Sequence, residues 1–231
     1  MPDLRIVCLS DTHGQHERLT GDFAVPDGDV LVCAGDTTAR GTLAESLAFL
    51  HWFAAHPHHE KVLVAGNHDA AWADRSTRHD LDREAWRLGV TYLAHHAGTT
   101  RKTGLAVFGS PWTPEFMNWH FMYPRYSRRA EELWQAVPGG LDLLVTHGPP
   151  FGTLDRTGGG ILAGCSDLAL AVNRARPRLH VFGHIHEAAG VVTHAGTVSV
   201  NASVIDERYR LARGPVVVCL PADGPAVLDD A

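Results

Sequence analysis

The chain has 231 residues, 45% of them hydrophobic and 20% charged, which is enough apolar side chain for a full core and excludes a disordered chain. Its formal net charge is -6, and its 20 Lys and Arg residues are scattered rather than gathered into a stripe. That pattern excludes a protein gripping long nucleic acid mainly through phosphates, and a small or locally held substrate is expected.

In chain order, the first apolar run is LRIVCLS (4–10), which is short and interrupted by Arg5, unlike a signal peptide. DVLVCAG (29–35) reads as a second buried strand. In TLAESLAFLHWFAAH (42–56), Leu43, Leu47, Leu50 and Ala54 fall on one helical face. KVLVAG (61–66) is a third strand, and HDLDREAWRLG (79–89) a second helix with Gly89 as its C-terminal cap. LAVFGS (105–110) follows, then LDLLVTHG (141–148), with the Gly- and Pro-rich segments 109–116 and 148–164 as long, functional loops. SDLALAVNRAR (166–176) predicts a third helix, capped by Ser166 and ended by Pro177. LHVFGHI (179–185), TVSVNAS (197–203) and PVVVCL (215–220) complete the strands. Strands alternating with helices early and crowding together late indicate an α/β layered fold, with a mixed sheet or two packed sheets. One domain over residues 1–231 is expected.

Cys8, Cys33 and Cys219 lie in apolar runs and no C-x-x-C pair occurs, so neither a disulfide framework nor a thiolate zinc site is expected. No run approaches the ~20 residues that cross a bilayer. A soluble, cytoplasmic protein that binds no membrane is the expectation. Of the sixteen histidines, His56, His58, His59, His95 and His96 sit in polar surroundings and read as solvated surface. The others need a different explanation.

Five strands end in ligand-type side chains. SDTHG supplies Asp11 and His13, AGD supplies Asp36, and AGNHD supplies Asn67, His68 and Asp69. VTHG supplies His147, and FGHIH supplies His184 and His186. Carboxyl ends of parallel strands converge on one crevice, so these residues can meet. Two carboxylates, four imidazoles and a carboxamide, without a thiolate, suit first-row metals such as Mn, Fe, Zn or Co. They are too many for one zinc ion. They fit two ions sharing a carboxylate, the usual device for displacement at phosphorus.

The ordered set DTH, GD, GNHD, HG and GHIH, running from residue 11 to residue 186, resembles the calcineurin-like metallophosphoesterase superfamily. GSPWTPEF, THGPP, VFGHIHE and VNAS are similar to its metallophosphoesterase-domain branch, related to cyclic-nucleotide phosphodiesterases. The resemblance implies a four-layered αββα sandwich of two mixed β-sheets flanked by helices. It implies that Asp11, His13 and His186 bind one metal, that Asn67, His147 and His184 bind another, and that Asp36 bridges. Manganese is the expected ion, with iron, zinc, nickel and cobalt also used among relatives.

The ligand types suggest roles. Asp36 has lone pairs for two cations. A metal pair makes hydroxide available near neutral pH to attack phosphorus, and steadies the charge that develops. His68 can protonate the leaving oxygen, with Asp69 either orienting its ring or capping the next helix. Gly14, Gly35, Gly66, Gly148 and Gly183 flank these residues and permit close backbone approach. Trp112 and Trp119 on the middle loop either contact substrate or plug the loop onto the core. Asn201 is a candidate partner for a ligating imidazole or the substrate. The expected activity is a two-metal phosphodiesterase on small phosphodiesters, cyclic nucleotides included. A phosphomonoesterase on the same centre, or a non-catalytic scaffold of the fold, is the alternative. A metallo-β-lactamase-type hydrolase fails, because its Asp-His pair is missing after HIH.

Overall fold

Each apolar run becomes a strand, in a computed structural model that describes residues 3–229. The first half holds β1 (Leu4–Leu9), β2 (Val30–Cys33), α1 (Leu43–Ala55), β3 (Glu60–Leu63), α2 (Ala70–Ala73), α3 (Arg75–Arg87), β4 (Thr91–Tyr92), β5 (His96–Thr99) and β6 (Ala106–Ser110). There follow β7 (Thr113–Pro114), β8 (Met122–Tyr123), α4 (Arg128–Gln135), β9 (Leu143–Thr146), α5 (Ser166–Ala175), β10 (Leu179–Phe182), β11 (Gly190–His194), β12 (Thr197–Asn201), β13 (Val216–Leu220) and β14 (Val227–Leu228). Two six-stranded sheets run β14-β13-β1-β2-β3-β4 and β11-β12-β10-β9-β6-β5. Both are mixed: β1, β2 and β3 are parallel while β13 is antiparallel to β1, and β6, β9, β10 and β12 are parallel while β5 and β11 run the other way.

The alternation of side chains along a strand decides the layers. In β1, Ile6 and Cys8 face the second sheet and pack with Val107, Val145, Val181 and Val200. Val7 and Leu9 face the other way, onto Phe49, Leu50 and Phe53 of α1 and Leu81 of α3. On the far side, Phe108 and Leu144 of the second sheet meet Leu133 and Trp134 of α4 and Leu168 of α5. The order is therefore helix, sheet, sheet, helix. Strands covered on both faces are apolar at nearly every position, which explains the uninterrupted runs.

Helix ends follow local chemistry, with two departures from expectation. α1 begins with a capping box: Thr42 Oγ1 accepts from Glu45 N at 3.2 Å and Glu45 Oε2 accepts from Thr42 N at 3.0 Å. α3 starts four residues before its predicted start, because the Asp74 carboxylate takes the Ser76 N–H at 2.8 Å. α5 is capped by Cys165, whose Sγ accepts from Leu168 N, and not by Ser166. His58 is also unlike its reading as solvated surface. It is buried, its ring lies 6.1 Å from that of His56, and its carbonyl accepts from Lys61 Nζ. Among the described residues no helix is long and apolar enough to cross a membrane.

Candidate active site

The strand ends that carry ligand-type residues turn sharply. Asp11, His13, Asp36 and His184 have φ of 57°, 42°, 50° and 69°. The left-handed region costs a non-glycine residue roughly 1–2 kcal/mol. The strain is held by hydrogen bonds that tie neighbouring strand ends together. Asp11 N donates to Gly35 O and His13 N to Asp36 O, both at 2.9 Å. His184 N lies 3.1 Å from both Asp11 carboxylate oxygens, which joins the first sheet to the second. Backbone strain of this kind clusters where side-chain direction matters more than local comfort.

The result is a crevice with three overlapping groups. Asp11, His13 and His186 bring ligand atoms within 4.8 Å of one another, as do His13, Asp36 and His68, and Asp36, His147 and His184. Asp36 belongs to two of them. Its Oδ2 stands 3.5 Å from His13 Nε2 and 3.4 Å from His147 Nε2, while Oδ1 accepts from His68 N at 2.8 Å. Asp11 Oδ1 is 3.5 Å from His186 Nε2. Asn67 Oδ1 lies 2.9 Å from His147 Nε2, and Asn67 itself is buried. Two glycines make the closeness possible. A Cβ on Gly66 would strike the Asp36 carboxylate and the His147 ring, and one on Gly183 the Asp11 carboxylate and the Ser10 hydroxyl.

The donor set fits a pair of cations. His147 Nδ1 faces the Ala34 carbonyl at 2.9 Å, and a carbonyl only accepts, so Nδ1 carries a hydrogen and Nε2 is the nitrogen turned inward. Among the described residues, buried His13 Nε2 has no hydrogen-bond partner. Burial pushes His13 down to about 4 and His184 down to about 3, so both imidazoles are neutral ligands at ordinary pH. Burial opposes a charge on His147 too, but the Asp36 carboxylate beside it outweighs that and raises it to about 9. Burial likewise works against ionising Asp36, yet the charge and hydrogen bond of His147 hold it well below the usual carboxylate range. A cation bound here would displace the His147 proton.

Asp69 departs from expectation. Its carboxylate does not steer His68: it accepts from Thr37 N and Oγ1, Thr38 N and Oγ1, and Gly66 N, at 2.8–3.2 Å. Although Asp69 stands at the start of α2, its side chain makes no capping hydrogen bond there. It is a buried clamp joining the turn after β2 to the turn after β3. Among the described residues His68 Nδ1 has no partner, and its ring stacks on Trp119 at 4.1 Å between centroids.

Trp112 and Asn201 have their nearest partners in the scaffold around the site. Trp112 packs edge-on to Phe121 at 5.9 Å, with the Arg129 guanidinium over its ring, so it plugs the middle loop onto α4. Asn201 is buried and spends its Nδ2 on the Leu154 and Ile185 carbonyls, bracing the turn that carries His184 and His186. Sequence reasoning missed Tyr209. It comes from the polar stretch DERYR (206–210), and its ring lies 4.8 Å from His13 and 5.4 Å from His186.

Strand ends from two sheets closing on buried carboxylates and imidazoles, in a four-layered sandwich, are the build of a metal-dependent phosphoesterase. The chain belongs to the calcineurin-like phosphoesterase family, whose profile matches residues 4–188. It is 37% identical over 239 residues to metallophosphoesterase domain-containing protein 1 of Homo sapiens, covering 94% of this chain and 71% of that one. It is 36% identical over 233 residues to UPF0046 protein K07C11.7 of Caenorhabditis elegans, covering 95% and 76%. Among solved structures, phosphopantetheinyl hydrolase (PptH) from Mycobacterium tuberculosis overlays with a TM-score of 0.54 across 88% of this chain and 90% of that one. Their identity is 19%, so that likeness is one of fold.

Proposed function

We propose that this chain, as one domain, hydrolyses small phosphodiesters, cyclic nucleotides among them, on a two-metal centre. Asp11, His13 and His186 would hold one ion and Asn67, His147 and His184 the other, with manganese as the first candidate. The observation that carries the reading is the place of Asp36, whose Oδ2 stands almost equally far from His13, after β1 of the first sheet, and His147, after β9 of the second. When bound, such a pair supplies Lewis acidity at the phosphoryl oxygens and lowers the pKa of water.

The chain's own residues do the rest. His147 keeps Nε2 inward through its bond to Ala34. Asp36 fixes the backbone of His68 by accepting its N–H, which sets that ring at the crevice mouth. With its ring steadied by Trp119, His68 donates a proton to the leaving oxygen. Arg213 turns Nη1 to the His186, Ser203 and Ile205 carbonyls and so ties the turn after His186 to the segment that follows β12.

Protein loaded in turn with Mn, Fe, Co, Ni and Zn should cleave an aryl phosphodiester faster than the matching monoester. Inertness with all five ions sinks the reading, and a faster monoester transfers the site to phosphatases. Asp36→Ala should lose bound metal as well as activity. His68→Ala should keep its metal and slow turnover by about 10²–10⁴-fold. Metal content measured beside rate separates the two, and an emptied His68→Ala would make His68 a ligand.

A further inference from the structure

We infer that Tyr209 is a specificity-determining residue, forming with Trp119 an aromatic slot on the leaving-group side that selects phosphoesters bearing a planar ring. The inference rests on the proposed reading of the crevice as the place where phosphorus reacts.

Four rings follow one another along the mouth. Trp119 stacks on His68 at 4.1 Å and 25°, His68 meets His13 at 4.5 Å, and His13 meets Tyr209 at 4.8 Å. Tyr209 lies 6.3 Å from His68, so two aromatic rings, Trp119 and Tyr209, border the proposed proton donor. Both walls are open to solvent in part, Trp119 by 41% and Tyr209 by 49%, so each has surface left for a ligand.

Tyr209 is held there by a built turn. Its φ is 58°, uncommon for a bulky side chain. Asp206 accepts from Tyr209 N through its carbonyl at 3.0 Å, and through its carboxylate from Arg208 N and Arg210 N at 2.9 and 2.8 Å. From the turn after β1, Gln15 Nε2 donates to the Tyr209 carbonyl at 2.9 Å. A turn pinned at so many points spends strain on the direction of one side chain. Aromatic faces take bases regardless of base identity, at about 1–3 kcal/mol per base, which corresponds to roughly 5–150-fold in affinity. The slot therefore selects for a ring rather than for its hydrogen-bonding edge.

The test uses metal-loaded protein and ligand pairs differing only by the ring: a ribose cyclic phosphate with and without its base for hydrolysis, and a nucleoside monophosphate against ribose phosphate for calorimetric binding. Wild type should favour the base-bearing member by at least ~5-fold in both. Tyr209→Ala and Trp119→Leu should each shrink that ratio, as a rise in KM and Kd for the base-bearing member. Tyr209→Phe, which keeps the ring, should preserve it. A Tyr209→Ala loss falling equally on both members would make Tyr209 a mere shield of His13 and His186 and overturn the inference. So would a Phe variant as defective as Ala. If no diester is cleaved but the binding ratio behaves as stated, the phosphodiesterase reading fails and the slot stands.

Discussion

At the scale of single residues, neighbours in sequence take unrelated work. Asn67, His68 and Asp69 are consecutive, yet one carboxamide faces His147, one ring faces Trp119 and one carboxylate is locked to Thr37, Thr38 and Gly66. Asp69 is a ligand-type residue used for construction. Replacing Asp69 by Asn keeps the shape but gives donors a weaker acceptor and faces one of them with an N–H. Hydrogen bonds to a buried charge are worth about 1.5–3 kcal/mol each, so Asp69→Asn should lower stability by about 3 kcal/mol or more. Urea unfolding of the metal-free variant measures this. An unchanged midpoint would return Asp69 to the role of steering His68. Ligand chemistry was legible residue by residue, because carboxylates and imidazoles after buried strands have little other use. The split between Asp69 and His68 was not, because it depends on which turn lies opposite.

At the scale of elements, local rules set most boundaries. The capping box that starts α1 is written in four residues, Thr42 to Glu45, and needs nothing from the rest of the chain. Thr42→Ala should cost about 1 kcal/mol, read as a lower thermal midpoint with metal content unchanged. Loss of metal on this substitution would show that α1 reaches the site through its packing on β1 and β2. Elsewhere tertiary partners moved the boundaries. β5 (His96–Thr99) was not foreseen, since HAGT lacks a β-rich pattern, and it forms because β6 presents an edge to pair with. The shift at α5 from Ser166 to Cys165 has the same origin: the Cys165 carbonyl and N–H are tied to Phe151 and Pro149, fixing where the helix begins.

At the scale of the whole molecule, the two sheets bury histidines that water would readily charge. His180, inside the second sheet, is held down to about 3 by burial, with Nε2 2.8 Å from Thr146 Oγ1. The unfolded chain protonates a histidine near pH 6.5. Between pH 6.5 and about 3 the unfolded state therefore binds a proton that the folded state refuses. This contribution to stability is full above pH 6.5 and is lost as pH falls, by up to about 1.4 kcal/mol per pH unit. His180→Gln should flatten the decline in unfolding free energy between pH 6.5 and 5 relative to wild type. Parallel curves would mean that His180 exchanges protons freely in the fold. Bound metal adds stability by mass action, so Mn should raise the thermal midpoint of wild type and leave that of Asp36→Ala unmoved.

The sequence by itself determined the layered α/β class, the set of metal-ligand-type side chains and the order of the motifs. Those follow from apolar alternation and from side chains whose cost is justified only by a ligand. Tertiary structure alone decided which of these residues meet, that Asp69 clamps two turns, that Asn201 and Trp112 brace the scaffold, and that Tyr209 stands beside His13 and His186. The physical reason is distance along the chain. A hydrogen bond from Gln15 to Tyr209, or a His13 ring beside Tyr209, joins segments almost two hundred residues apart. Local pattern says what each segment is, and only packing says what it faces.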